Sequence, residues 1–216
     1  RDRWFLDGDV RNTRIGMKYT GYELPKNWKL AGAVEIDFFG GSTSNNFVSD
    51  EQPVIRLRSA YVDAIKNKLT IRLGQFWAPL SGYTINSLSH IAYPLSTAAP
   101  AWRFPGIFIY YNFSDKNSPT KVNLQFALMR GSWEGPGNNL NSLSAGNASM
   151  IPQIEFKLNL NGKFNKGNWS AYIAGHYDKK DTSGVNDIRD SNSGFDGLAG
   201  EIGSSINYKS ISLTCN

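Results

Sequence analysis

Residues 121–131 alternate in polarity at nearly every position, and this alternation constrains the fold more than any other feature of the chain. Val122, Leu124, Phe126 and Leu128 are apolar, whereas the positions between them include a glutamine and an asparagine. Successive side chains of a β-strand point to opposite faces of the sheet. The segment is therefore predicted to form a strand with one apolar and one polar face.

The same alternation recurs along almost all of the 216 residues. It predicts ten strands of about 10 residues, which is the length that a tilted strand needs to cross the hydrocarbon layer of a membrane. In the third strand we assign Ile55, Leu57 and Tyr61 to the apolar face. No apolar run reaches the roughly 18 residues of a transmembrane helix. A membrane protein of this sequence would therefore cross with strands.

The predicted connections alternate between short and long. Turns at residues 21–27, 66–68 and 161–167 are short, whereas the connections at 40–52, 77–104, 131–150 and 178–195 are long. Outer-membrane barrels show this asymmetry between periplasmic turns and outer loops. We therefore predict an all-β fold, a transmembrane antiparallel up-and-down β-barrel, with one partial barrel domain over residues 1–216. Because the pattern stops within a strand at residues 211–216, we expect a longer barrel.

Composition argues against several other functions. The formal net charge of +5 is scattered, and no basic cluster with interleaved aromatics indicates a nucleic-acid surface. The single cysteine, Cys215, allows no internal disulfide. His90 and His176 lack serine partners at a spacing typical of hydrolases and further ligands at a spacing typical of metal sites. We therefore expect no enzymatic activity, no metal and no cofactor.

If the apolar face contacts lipid, the opposite face lines an aqueous interior, and its charged residues become the candidate functional residues. With histidine taken as neutral, nine of them are cationic and five are anionic, a surplus of four positive charges. They are Arg14, Lys18, Lys29, Glu35, Asp37, Arg56, Arg58, Arg72, Lys121, Glu155, Lys157, His176, Asp178, Glu201 and Lys209.

The densest group of these charges lies on three neighbouring strands. The expected hairpin register places Asp37 beside Arg56. It also places Glu35 beside Arg58, and Arg72 falls near Arg58 on the next strand. The planar guanidinium binds carboxylates through two parallel hydrogen bonds and stays charged. The group is either an anion-attracting ladder at a constriction or a set of salt bridges that satisfy one another.

Residues 77–104 are too long and too apolar for a solvated loop. The stretch contains Leu80, Ile85, Ile91 and Trp102 and is stiffened by Pro79, Pro94 and Pro100. A loop of this length is usually functional or disordered, and its apolar content argues against disorder. We predict that it folds into the barrel and narrows it, with Arg103 and His90 as polar contacts. The alternative is that it packs at a subunit interface.

Four segments in this order carry a resemblance to a known family. They read Asn-Thr-Arg-Ile-Gly-Met-Lys at residues 12–18, Glu-Ile-Asp-Phe-Phe-Gly-Gly at 35–41, Arg-Leu-Arg-Ser-Ala-Tyr-Val at 56–62 and Leu-Gly-Gln-Phe-Trp at 73–77. The chain thereby resembles the DcaP-like outer-membrane porins, which are distantly related to phosphate-selective porins. The resemblance covers residues 10–110 and is architectural thereafter. Phe76 departs from the family pattern, where a small residue is usual, as does the longer, proline-rich third loop.

The resemblance implies a barrel of about 16 strands, assembled as a homotrimer in the outer membrane of a Gram-negative bacterium. Its partners would be the lipid bilayer, lipopolysaccharide and small anionic solutes such as dicarboxylates, which would diffuse passively through an arginine-rich pore. The expected pore-lining residues are Arg14, Lys18, Glu35, Asp37, Arg56, Arg58, Arg72, Arg103, Lys121 and Lys157.

Two other interpretations remain open. The chain could form a non-conducting structural or binding barrel within an outer-membrane complex, with Phe108, Tyr110 and Tyr172 in a plugged interior. A soluble ligand-binding barrel would instead require Leu124 and Phe156 to converge inside.

Overall fold

The structure, a computed structural model, describes residues 10–11, 13–38, 54–82, 102–115, 117–131, 149–181 and 194–215. Within them lie ten strands and a short 3-10 helix, Pro25–Asn27. The strands are β1 (Ile15–Leu24), β2 (Trp28–Asp37), β3 (Arg56–Lys66), β4 (Leu69–Trp77), β5 (Arg103–Asn112), β6 (Thr120–Met129), β7 (Gln153–Phe164), β8 (Gly167–Asp181), β9 (Gly194–Tyr208) and β10 (Ile211–Cys215). The described part of the chain has no helix that is long and apolar enough to cross a membrane.

All ten strands form one antiparallel sheet in sequence order, so each strand pairs with its neighbours along the chain. The predicted all-β, up-and-down arrangement of ten strands is therefore confirmed. Among the described residues, β1 pairs with β2 alone and β10 with β9 alone, and the sheet is open at these two edges. Closure into a barrel stays a prediction.

Turns and long connections alternate as expected. Two-residue turns at 67–68, 165–166 and 209–210 follow β3, β7 and β9, whereas long connections follow β2, β4, β6 and β8. Some strands extend further than the polarity pattern predicted. β5 begins at Arg103, which pairs with Trp77, and β8 reaches Asp181, which pairs with Gly194. Backbone pairing thus continues past the point where alternation of the side chains ends.

The two faces of the sheet differ sharply. One row of cross-strand partners on the face that we call the apolar face is Val62, Leu73, Ile107, Leu128, Ile154, Tyr177 and Leu198. The adjacent row on the opposite side, the polar face, is Asp63, Arg72, Phe108, Ala127, Glu155 and His176. Leu73 is 54% exposed and Leu198 is 81% exposed, whereas Glu155 is 0% exposed. Burial therefore lies on the polar face, the reverse of a soluble sheet.

One predicted orientation is wrong, because β3 contains an irregularity that sequence alternation does not reveal. Arg58 is inserted between two regular stretches of the β2–β3 register. An inserted residue reverses the faces of everything that follows it. Leu57 thus lies on the apolar face before the insertion, and Val62 takes that face after it. Tyr61 lies on the polar face, where its ring centroid is 3.6 Å from the guanidinium carbon of Arg72.

Candidate functional site

Four charged side chains of β2 and β3 form the ion-pair group that the hairpin register predicted. Arg56 donates to both oxygens of Asp37, at 2.9 and 2.6 Å. Arg58 donates to Glu35 at 2.5 Å and to Asp37 at 2.7 Å. Asp37 is 1% exposed, so its charge needs both arginines to offset the cost of burial. Both predicted pairs are confirmed, and Arg58 additionally bridges them.

Arg72 does not belong to this group, which corrects its predicted position near Arg58. Its guanidinium donates to both oxygens of Asp63, at 2.7 and 2.9 Å. Aromatic rings enclose it, with Tyr61 at 3.6 Å and Phe76 at 3.9 Å. The insertion at Arg58 turns Asp63 to the polar face and so supplies the partner. Arg72 is a neutralised, stacked residue rather than a source of surplus charge.

Arg103 carries the surplus instead. It lies at the start of β5 rather than in the preceding connection, and its guanidinium carbon is 4.7 Å from the Trp77 ring. Among the described residues, its Nη1 is buried without a hydrogen-bond partner. Its charge is repelled by Arg58 and Arg56 and attracted by Asp37 and Glu35. Arg103 and the ion-pair group together have three arginines and two carboxylates, which leaves one surplus positive charge.

The first residues of the long connection after β4 fold onto the polar face. The Leu80 N–H donates to the Glu155 carboxylate at 2.6 Å, and the Lys157 ammonium donates to the Ser81 carbonyl. These two contacts, which we call the loop anchor, join residues 80–81 to β7, three strands away from β4. Leu80 is 5% exposed and packs in a buried cluster with Tyr172 and Ala174. This part of the predicted inward fold is present, while residues 83–101, including His90, lie outside the described residues.

Just before the loop anchor, the chain packs against a buried apolar cluster on the polar face of the sheet. Ala78 packs in a buried cluster with Phe108, Ala127 and Met129. Phe108 is 1% exposed although it lies on the polar face of β5. Sequence alternation places Phe108 and Tyr172 on the polar face but does not show what covers them. In the structure, Ala78 packs in one cluster with Phe108, and Leu80 packs in the other with Tyr172.

Glu155 is the centre of a hydrogen-bond network beneath the loop anchor. It accepts from Gln153 at 3.0 Å and contacts Nδ1 of His176 at 2.9 Å. Nε2 of His176 is 3.6 Å from Asp178, which is in turn paired with Lys180. A buried carboxylate thus lies on each side of His176, and these contacts fix the Glu155 side chain that holds Leu80. Sequence alternation placed Glu155 on this face but could not show what it binds.

The remaining expected pore-lining residues are separate from the ion-pair group. Arg14 and Lys18 are exposed, and Lys18 pairs with Ala33 on the β1–β2 ladder. Lys121 donates to the backbone carbonyl of Asp115 at 2.7 Å. Lys157 is 8% exposed and covered by the loop anchor, with its ammonium 3.8 Å from the Tyr172 ring. The ten residues thus fall into a dense group beside the long connections and isolated positions elsewhere.

Comparison of the chain with protein-family profiles, with curated proteins and with solved structures found no match. The geometry of the two faces and the residues that occupy them are therefore the basis for assigning a function.

Proposed function

We propose that this chain is part of an outer-membrane porin, a passive diffusion channel with a preference for small anions. The observation that carries the proposal is the inverted burial of the sheet. Large apolar side chains such as Ile173 (46%) and Ile202 (71%) are exposed, whereas the charged Asp37 (1%) and Glu155 (0%) are buried on the other face. In water the exposed face would be unfavourable by about 25 cal/mol for each Å² of apolar surface. A lipid surround removes that cost, and closure of the sheet would enclose the polar face.

A cluster of aromatic side chains supports the membrane part of the proposal. Near the two-residue turns, the apolar-face side of the sheet carries Tyr111, Phe113, Phe164, Trp169 and Tyr208. Two pairs of these rings are in contact, Tyr111 with Phe113 at 4.9 Å and Phe164 with Tyr208 at 6.2 Å. Trp and Tyr concentrate at the headgroup level of membranes. The arrangement matches an interfacial belt at the turn end of the sheet.

The surplus charge of Arg103 beside the ion-pair group supports the anion preference. Two carboxylates neutralise Arg56 and Arg58, and Arg103 remains as a cation with a buried N–H that no described residue accepts. A guanidinium in that state favours an oxyanion over a cation of equal size. Association as a homotrimer, contact with lipopolysaccharide and dicarboxylates as solutes belong to the same proposal and follow from the family resemblance alone.

The test is the reversal potential of the full-length protein in a planar lipid bilayer under a KCl gradient. We expect conductance with a reversal potential that favours chloride. Conductance without selectivity would refute the anion preference, and a bilayer that stays closed despite inserted protein would refute the channel.

One observation favours a second candidate, a non-conducting structural or binding barrel. Residues 78–81 fill part of the polar face, and Leu80 and Phe108 are almost completely buried there. If the rest of the connection continues across the interior, the barrel would be plugged. The conductance measurement separates the two candidates.

A further inference from the structure

A second polar site lies on the sheet, near the turns and away from the ion-pair group. A cavity of about 930 Å³ opens between the turn ends of β3–β7. Of its 13 lining residues, six carry side-chain amides, and Thr70, Tyr110 and Ser114 carry hydroxyl groups; a further tyrosine, Tyr111, has its side chain on the apolar face. The amides come from Asn67, Asn112, Asn123, Gln125, Asn159 and Asn161. The ion-pair group, by contrast, consists of charged side chains and contains no amide.

The residues that line the cavity carry no net charge. The two charged ones are Lys68 and Asp115, whose side chains form a salt bridge at 2.6 Å. The nearby ammonium of Lys121 is held at the rim by the backbone carbonyl of Asp115, at 2.7 Å. The lining itself therefore has no net charge, with Lys121 as one cation beside it, so the wall offers a solute mainly hydrogen bonds.

The amides are arranged in register across the sheet. Asn112 pairs with Asn123, and Asn123 pairs with Asn159, so three amides follow one another on adjacent strands. Tyr110 and Gln125 form the neighbouring pair. Adjacent strands are about 4.8 Å apart, a spacing comparable with the width of a sugar ring. The wall thus presents amide groups at intervals that one small polyhydroxylated molecule could span.

The chemistry of these groups indicates the ligand class. Each amide offers two donors and an acceptor, and each hydroxyl of a polyol is both donor and acceptor. The side-chain nitrogen of Asn159 is buried and has no hydrogen-bond partner among the described residues. Asn112, by contrast, is fixed because its oxygen accepts the Ser114 N–H at 3.0 Å. We infer that the amide-lined cavity binds a neutral polyhydroxylated solute of the monosaccharide or polyol class.

This inference adds a solute class to the proposed channel and rests on the proposed function for the access of the solute to the cavity. A porin with this wall would have two zones, a net cationic one beside the long connections and a neutral, hydroxyl-binding one beside the turns. Solutes with hydroxyl groups would be retained by the second zone even when they carry no charge. A site that is built to hydrogen-bond hydroxyl groups discriminates strongly against a molecule that lacks them.

The experiment uses the full-length protein and glucose as the probe. In a planar bilayer, glucose should interrupt the ion current in a saturable manner, whereas a polyethylene glycol of the same hydrodynamic radius should reduce it only in proportion to its concentration. The double variant Gln125→Leu/Asn159→Leu should bind glucose at least about tenfold more weakly, because 1.4 kcal/mol of lost hydrogen bonding is a factor of ten. Asn168→Leu is the control, since Asn168 lies outside the cavity and is paired with Asn207 at 2.9 Å.

Calorimetric titration of the detergent-solubilised protein with glucose distinguishes failure of the cavity inference from failure of the channel proposal. Binding that the double variant weakens, in a protein that conducts no ions, would support the cavity and refute the channel. Conductance with a normal chloride preference, but with glucose indistinguishable from the polymer and no heat of binding, would overturn the inference and leave the channel intact. Equal affinities of the double variant and the unmodified protein would overturn it as well.

Discussion

The loop anchor allows a prediction whose size follows from the structure. Replacement of Glu155 by alanine removes the acceptor of the Leu80 N–H, together with the partner of Gln153 and His176. A hydrogen bond to a charged group contributes about 1.5–3 kcal/mol. Loss of the Leu80 bond alone should therefore raise the population in which residues 80–81 are detached by roughly ten- to a hundredfold. Because the apolar contacts of Leu80 persist, detachment should be transient rather than complete.

Single-channel recording of full-length Glu155→Ala is the assay. We expect more frequent transitions to a higher conductance than in the unmodified protein, together with a lower melting temperature. Asp63→Ala is the matched control, because Asp63 is a buried carboxylate of the same face that accepts from Arg72, at 2.7 and 2.9 Å, rather than from the long connection. Identical open lifetimes, conductance and melting temperature in Glu155→Ala and the unmodified protein would refute the reasoning.

Three further predictions concern the wall, the apolar face and a turn. Arg103→Gln should move the reversal potential towards cation preference, whereas Arg72→Gln should lower the melting temperature and leave selectivity unchanged; the opposite pattern would contradict the assignment of the surplus charge to Arg103. Ile173→Arg, in the middle of β8 on the apolar face, should reduce the free energy of folding into lipid vesicles by about 2–4 kcal/mol. Met150→Arg, outside the strands and 92% exposed, is its control, and equal losses would argue against a lipid contact. The hydrogen bond from Lys68 lowers the pKa of the Asp115 carboxyl. That carboxyl stabilises the fold above the pKa of the unfolded group and loses this effect as pH falls through the lower folded pKa. Asp115→Asn should therefore flatten the acid side of a plot of melting temperature against pH, and an unchanged plot would exclude the pair.

Local pairing could be predicted from the sequence because each hairpin register follows from alternation on two adjacent strands. Asp37 with Arg56 and Glu35 with Arg58 were placed in this way, and both pairs are present. The positions that carry a polar wall, including that of Glu155, follow from the same rule. What a buried carboxylate binds across three strands depends on how a distant segment folds, and alternation contains no information about that.

The irregularity of β3 shows how one residue can redirect a functional interpretation. Alternation counted through Arg58 puts Asp63 on the apolar face, so Arg72 lacked a partner in the sequence. The insertion turns Asp63 inward, and the two side chains form a bidentate pair. The sequence did contain a signal of this irregularity, because simple alternation assigns the charged Asp63 to the apolar face. A lone carboxylate facing lipid would cost several kcal/mol.

The position of the surplus charge changes what the wall could do. With Arg72 as the surplus cation, attraction of anions would lie midway along the polar face, among aromatic rings that leave little space for a solute. With Arg103 in that role, the surplus lies at the first residue of β5, beside the ion-pair group and next to the long connection that the loop anchor draws inward. If the proposed pore is narrowest there, this field would act on every solute that enters, because screening by salt is weakest where water is excluded. Selectivity and constriction would then depend on the same end of the sheet, and the neutral amide cavity at the opposite end would act only on solutes that have already passed it.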